Sequence, residues 1–319
     1  MRVKKVIPFS KYRYWSYGIS IAMLIAVWAG TIAQGGFNLG IDFKPGLSQT
    51  IQLTASDVSI EKVRAALAGS DHNFTVQPVG AVAEKKFQIR AVANADEGKV
   101  QNLQEVISEK AKSSLEASFG AGTITVLQSE FIGPSLSNEL VYQTIWIALA
   151  AVLVILLYIW FRFKFAYAIA AIIALIHDPL FILGLVGTIQ MEFTTATIAV
   201  VLTIIGYSLN DTIVVFDRIR ENLRLKQGMN LYDLVDLSIT ETLSRTIVSS
   251  VTTIISMLAV YLFTQGAIKD FAFALIIGVV VGTYSSIFVA APLMVAFAGG
   301  KPPVEKERKP VTDGEVVEA

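Results

Sequence analysis

The 319-residue chain has no cysteine, which excludes structural disulfides, thiolate catalysis and cysteine-ligated metals. It has two histidines, His72 and His177, which leaves little from which to build a histidine metal centre. No glycine loop of the phosphate-cradling kind occurs, so neither a nucleotide site nor any other cofactor is expected. No nucleophile–base pair or metal cluster marks an enzyme. Net charge is missing too: 26 Lys+Arg balance 26 Asp+Glu, and the chain as a whole is steered to no nucleic acid or other polyanion. Charged residues make up 16% of the sequence, against about 25% in soluble domains.

Apolar residues take their place. They amount to 54% of the chain, with a mean hydropathy of +0.59, more than a soluble core of this length buries. Composition therefore points to the lipid bilayer and away from a disordered or collagen-like chain. A helix needs about 20 apolar residues to cross about 30 Å of hydrocarbon. Six runs qualify: residues 15–33, 140–161, 165–187, 193–216, 246–263 and 271–297. The first follows Arg2, Lys4, Lys5, Lys11 and Arg13, as a signal peptide would. It is too long for a typical signal core, and Gln34-Gly35-Gly36 is no small-x-small cleavage site, so it is expected to be a retained helix. Arg162, Lys164, Arg218, Arg220, Arg224, Lys226, Arg245 and the tail from Lys301 to Lys309 share one side with the N-terminus, whereas the opposite short loops hold only Lys269. The lysine and arginine bias predicts both termini in the cytoplasm.

Residues 34–139 are of soluble composition and fall between spans one and two. They read strand (47–53), helix (59–68), strand (74–79), strand (86–92), helix (99–119), strand (123–131), with Gly69 and Gly120 where the helices should stop. The alternation Phe87-Gln88-Ile89-Arg90-Ala91-Val92 suits a sheet with one buried face. The β-α-β-β-α-β order is that of a ferredoxin-like unit. The expected fold is thus an α-helical polytopic membrane protein of six transmembrane helices with an α+β ferredoxin-like external domain. The division is 1–33, 34–139, 140–298 and a disordered cytoplasmic tail, 299–319. Within the bundle, residues 217–245 are amphipathic, with Leu231, Leu234, Val235 and Leu237 opposed to Asp233 and Asp236. They are expected to lie along the cytoplasmic interface.

An ionisable group inside a span costs about 2.5–3.5 kcal/mol and is a functional candidate by default. Span four carries Gly206-Tyr207-Ser208-Leu209-Asn210-Asp211-Thr212. Thr203, Gly206 and Asn210 share one helical face, with Asp211 and Tyr207 beside it. A carboxylate among an amide, a phenol and a hydroxyl can take up and release a proton; the alternative is an aspartate merely solvated near the cytoplasmic end. Arg245, Ser249, Thr252 and Ser256 form a polar stripe on span five. Arg245 is either a fixed positive charge for ionised Asp211 or an anchor reaching to the headgroups. Span three holds His177-Asp178-Pro179, where Asp178 either relays protons or hydrogen-bonds backbone freed by the proline. His72, between Asp71 and Asn73, suits a surface turn. Gly278, Gly282 and Ser286 form a small-residue face for close helix packing.

The stretch Gly206-Tyr207-Ser208-Leu209-Asn210-Asp211-Thr212-Ile213-Val214-Val215-Phe216-Asp217-Arg218-Ile219-Arg220-Glu221-Asn222 resembles the signature of the SecF family, membrane subunits of the bacterial Sec protein-export machinery. Leu39-Gly40-Ile41-Asp42-Phe43, Ile132-Gly133-Pro134-Ser135-Leu136 and Thr240-Glu241-Thr242-Leu243-Ser244-Arg245-Thr246 agree with it. The resemblance implies half of a resistance-nodulation-division type transporter. It also implies a partner, SecD, that supplies six more spans, and work beside the SecYEG channel, often with YajC. The pair would use the proton-motive force to pull or release preproteins on the outer side. The family's intramembrane aspartate matches Asp211 and its functional arginine Arg245. Two departures stand out: Lys44-Pro45-Gly46 where the family has paired glycines, and Pro179 where it commonly has an aliphatic residue. On this reading Asp211 alternates between a protonated state and an ionised state paired with Arg245. One charge moved through 100 mV supplies about 2.3 kcal/mol. The rivals are half of a proton-coupled exporter of small solutes and a scaffold that only stabilises the Sec channel.

Overall fold

The structure, a computed structural model, describes residues 6–55, 57–68, 74–79, 84–92 and 103–299. His72, the start of the predicted 99–119 helix, Gly69 and nearly all of the predicted disordered tail lie outside the described residues. A 3-10 turn, Phe9–Tyr12, leads into α1 (Arg13–Ala33). Then follow β1 (Asn38–Leu39), β2 (Gly46–Leu53), α2 (Ile60–Ala68), β3 (Phe74–Val79), β4 (Lys86–Val92), α3 (Leu103–Phe119) and β5 (Ile124–Ile132). The rest is helical but for one short strand: α4 (Pro134–Arg162), α5 (Phe165–Thr188), β6 (Glu192–Phe193), α6 (Thr195–Leu225), α7 (Leu231–Phe263), α8 (Ala267–Ser285) and α9 (Ala291–Phe297). A π-helical turn, Ser286–Ala290, joins α8 to α9, so the two form one span, and among the described residues six helices are long and apolar enough to cross a membrane.

β2 to β5 form a four-stranded sheet in the order β3-β4-β2-β5, every neighbouring pair antiparallel. The alternation along β4 is as the sequence predicts, with Phe87, Ile89 and Ala91 buried. With Ile51, Leu53, Val63, Leu67 and Leu115 these residues make the core between the sheet and its two helices. Gly120 ends α3 at φ 98°, a left-handed conformation that glycine adopts without steric cost. At Gly46 the reason for glycine is a neighbour: a Cβ there would lie 2.5 Å from the Ala91 carbonyl oxygen on β4. Pro45 directly precedes β2, where its missing N–H interrupts no strand pairing. The departure Lys44-Pro45-Gly46 thus keeps the one glycine that the sheet requires.

The helices outrun the apolar segments read from the sequence. α6 extends to Leu225, α7 begins at Leu231 and α8 begins at Ala267, because polar residues continue a helix wherever side chains cover it. This replaces the expectation for residues 217–245. They are not a separate interfacial element but the adjoining ends of α6 and α7, joined by a short turn. Their apolar residues Leu231, Leu234 and Val235 belong to the bundle core, so the amphipathic face is spent on protein and not on lipid.

α5 is the most enclosed of the long apolar helices beside α8, and Pro179 sits inside it without ending it. α1 crosses α5 closely: Cβ atoms at Gly184 and Gly187 would run into Val27 and Thr31, and the Thr31 hydroxyl donates to the Gly184 carbonyl at 2.8 Å. The small-residue face of α8 meets α6, Gly278 against Ile204 and Gly282 against Ser208. α4 and the second half of α7 leave Trp146, Leu153, Trp160, Ile255 and Leu262 uncovered by the chain. Gly278→Leu is expected to lower stability by about 1–3 kcal/mol through overpacking, read as a lower Tm in detergent. Adding Ile204→Ala should recover part of that loss.

Candidate functional site

Asp178 is 0% exposed and stands where three helices meet. Its Oδ2 accepts hydrogen bonds from Ser208 of α6 at 2.5 Å and Ser285 of α8 at 2.8 Å. Its Oδ1 lies 2.8 Å from His177 Nδ1. Of the two readings of Asp178, proton relay or bonding to backbone freed by Pro179, the second is not seen: its partners are side chains. A buried carboxylate is tolerated when its lone pairs are filled in this way. Sequence reasoning missed Ser285. The available signal was its place one turn beyond Gly282, on the face already marked for packing.

Asp211 lies one turn along α6 from Ser208 and is 2% exposed. Its surroundings are the opposite of those of Asp178, since its Oδ2 is buried with no hydrogen-bond partner. The Tyr207 hydroxyl of α6 lies 3.4 Å from Ser250 Oγ of antiparallel α7, which is 2.7 Å from Thr283 Oγ1 of α8. One turn from Ser250, level with Asp211, the Thr246 hydroxyl is likewise buried and unpartnered. The position of Asp211 along the helix follows from helix rise. Asp211 is sixteen residues from the start of α6 and fourteen from its end, hence near the middle of a helix about 46 Å long. The first charged residues beyond it, Asp217 and Arg218, are about 9 Å further along. The aspartate is not at a helix end.

Arg245 does not form an ion pair with Asp211 among the described residues, although it is the charge whose field reaches that carboxylate. Its side chain is on an exposed face of α7, with Thr252 and Ser256 also uncovered. Asn210, Gly206 and Thr203 are exposed on α6 as well. The face that the sequence groups together is thus one that this chain leaves open, while Asp211 is turned inward from it.

At the end of the bundle remote from the sheet, Arg162, Arg218, Arg220 and Lys226, four of the basic residues used above to orient the chain, are held by carboxylates. Arg162 donates to both oxygens of Asp217 at 2.8 and 2.9 Å. Glu241 accepts from Arg218 and from Asn222, each at 2.7 Å, with Lys226 Nζ at 3.5 Å. Asp236 accepts from the backbone and hydroxyl of Ser10 at 2.8 and 2.7 Å, which fixes the segment before α1. At the sheet end, Asp42 accepts from the Thr195 amide and hydroxyl at 2.8 and 2.9 Å, capping α6, and so gives a structural role to the motif after span one. Among the described residues no three His, Asp or Glu gather as metal ligands would.

A bundle of six spans with an inserted α+β unit and a buried aspartate at mid-helix defines a class of polytopic membrane protein, and comparison with known proteins places the chain within it. Residues 111–299 match the family described as protein export membrane protein SecD/SecF, C-terminal. The chain is 40% identical over 293 residues to the protein translocase subunit SecF of Desulfurispirillum indicum, covering 91% of each chain. It is 34% identical over 300 residues to that of Borreliella burgdorferi, covering 92% of this chain and 98% of that one. A crystal structure of SecDF, a translocon-associated membrane protein from Thermus thermophilus, superposes with a TM-score of 0.75 at 32% identity. The match covers 94% of this chain and 40% of that longer one. A SecDF structure in a super-membrane-facing form gives a TM-score of 0.64 at 33% identity. The chain belongs to the SecF family of protein translocase subunits, multi-pass membrane proteins with a role in transport.

The Asp178 network yields a prediction. Ser208→Ala and Ser285→Ala should each destabilise the bundle by about 1–3 kcal/mol, since each leaves a buried acceptor short of a donor. Together they should cost other than the sum, because they share one oxygen. Denaturation of the single and double variants in one detergent measures both.

Proposed function

We propose that the chain is an accessory subunit of the Sec translocase which, paired with SecD, couples the proton-motive force to late steps of preprotein export, without catalytic chemistry or a cofactor of its own. The observation that carries this reading is Asp211: a carboxylate near the middle of helix α6, buried, with its Oδ2 unpartnered. In hydrocarbon an unpaired carboxylate is stable only when neutral, whereas a nearby fixed cation favours the charged form. Asp211 therefore has two states close enough in free energy for a gradient to choose between them. Arg245 is the cation, brought to Asp211 when the open face of α6 and α7 is covered. Asn210 lies on that face and Asp178 stands one turn away, so both belong to the same relay.

The open face also argues for SecD. Thr203, Gly206, Asn210, Arg245, Thr252 and Ser256 are polar or small and uncovered, a poor surface to give to lipid and a good one for close helix packing. The solved SecDF chain, of which this chain matches 40%, is long enough to hold a second such half. In the cell we place the protein in the bacterial inner membrane beside SecYEG, and YajC where present, with both termini cytoplasmic. The α+β unit, ferredoxin-like in its β-α-β-β-α-β order, then faces outward, where an emerging preprotein is within its reach.

The test uses membrane vesicles containing the chain, SecD and the Sec channel, in which preprotein translocation is measured with and without a proton gradient. Asp211→Asn, neutral at every pH, is expected to bring translocation under a gradient down to the level seen without one. If Asp211→Asn and Arg245→Gln both retain the gradient's benefit while Gly278→Leu does not, the chain is a scaffold and the proposal fails.

A further inference from the structure

The α+β unit and the aspartate-bearing helix are joined at one compact junction. Arg90 lies on β4 between the buried Ile89 and Ala91, so its side chain leaves the sheet on the face away from α2 and α3. There its Nη1 donates to Glu192 Oε2 at 2.7 Å, with the two side chains 15% and 9% exposed. Gln88 accepts from Arg90 Nη2 at 3.2 Å and steadies the guanidinium. Glu192 is on β6, three residues before α6, and β6 pairs in parallel with β1 through Asn38↔Glu192 and Leu39↔Phe193.

A second connection runs alongside. Gly40 N–H donates to the Phe193 carbonyl at 2.9 Å, Asp42 caps Thr195, and the chain enters central strand β2 four residues later. At Gly40 a Cβ would come within 2.7 Å of Glu192 Oε1 and 2.9 Å of Thr194, so the approach depends on glycine. Beside the ion pair is a cavity of about 20 Å³ lined by Arg90, Glu192, Thr194, Thr197, Asp270 and Phe271 among others. From Thr195 to Asp211 α6 is unbroken, a rigid rod of about 24 Å.

We infer that Arg90 and Glu192 are positioning residues that fasten the α+β unit to α6, so that the unit and Asp211 move as one body. Neither touches the proton; they set where α6 goes when the unit is displaced, and where the unit goes when α6 shifts. The inference rests on the proton-driven reading above for its consequence in transport, though not for the coupling itself.

Charge reversal tests it in the same vesicles. Arg90→Glu and Glu192→Arg are each expected to lower gradient-stimulated translocation at least tenfold and to leave gradient-independent translocation within twofold of the natural level. The double reversal should restore stimulation to within threefold. Hydrogen exchange of the first amides of α6 supplies a readout independent of protons: faster in each single variant, recovered in the double. Finally, because the chain has no cysteine, Arg90→Cys with Glu192→Cys can be joined by a bis-maleimide, and the joined protein should retain stimulation. Loss of stimulation on joining, or singles that exchange and translocate like the natural chain, overturns the inference. If Asp211→Asn keeps the gradient's benefit while exchange at α6 still follows the reversal pattern, the proton reading has failed and the fastening stands.

Discussion

A carboxylate that enters hydrocarbon must bring its hydrogen-bond donors with it, and in this bundle the requirement is met at Asp178. Two serine hydroxyls from different spans and a neighbouring imidazole surround it. The three helices that supply these groups cannot slide past one another without exposing the charge or stranding a donor. The close contacts of Gly278 with Ile204 and of Gly282 with Ser208 follow from the same registration, since they bring α8 near enough for Ser285 to reach across. Packing and polarity thus fix one arrangement of α5, α6 and α8 together.

Against that fixed frame Asp211 is the contrasting case. It is about as buried, yet its Oδ2 has no hydrogen-bond partner. Two aspartates thus meet α6 within one turn of each other, Asp178 from α5 at Ser208 and Asp211 from α6 itself; the first has its hydrogen-bond partners, and the second has an oxygen without one. The difference lies in what the neighbouring helices present. α8 offers Ser285 to the first. α7 offers Thr246 at the level of the second, with Arg245 turned to the open side. A satisfied carboxylate and an unsatisfied one can lie within a turn of each other along α6 because different neighbours face them.

Much of this was legible in the residues. The six apolar runs, the strand alternation at 86–92, the stop at Gly120 and the small-residue face of α8 all rest on local patterns that tertiary contacts do not override. The ends of α6 and α7 were not legible, because hydropathy marks where a helix meets lipid and is silent about where it stops. Residues 217–245 misled for the same reason: an amphipathic face is the same whether it meets headgroups or Phe9 and Ile219. Asp211 could be singled out by its rarity within a span, whereas its missing partner could not, since that depends on where α7 places Thr246. Arg90 looked like one more polar residue on a sheet until Glu192, about a hundred positions later, was found beside it.

The π-helical turn at Ser286–Ala290 has a further meaning for the sixth span. Pro292 has no N–H to offer the preceding turn, and the widened turn absorbs the misfit. It also shifts the angular phase of everything after it. Before the turn the helix presents Gly278 and Gly282 to α6; after it, Ala291, Met294 and Val295 are buried as well. Removing one residue there would rotate α9 by about 100° relative to α8 and swing Met294 and Val295 off their partners. The extra residue works as a phase shifter: it lets one continuous rod keep two differently oriented faces inside the protein, as two separate helices would.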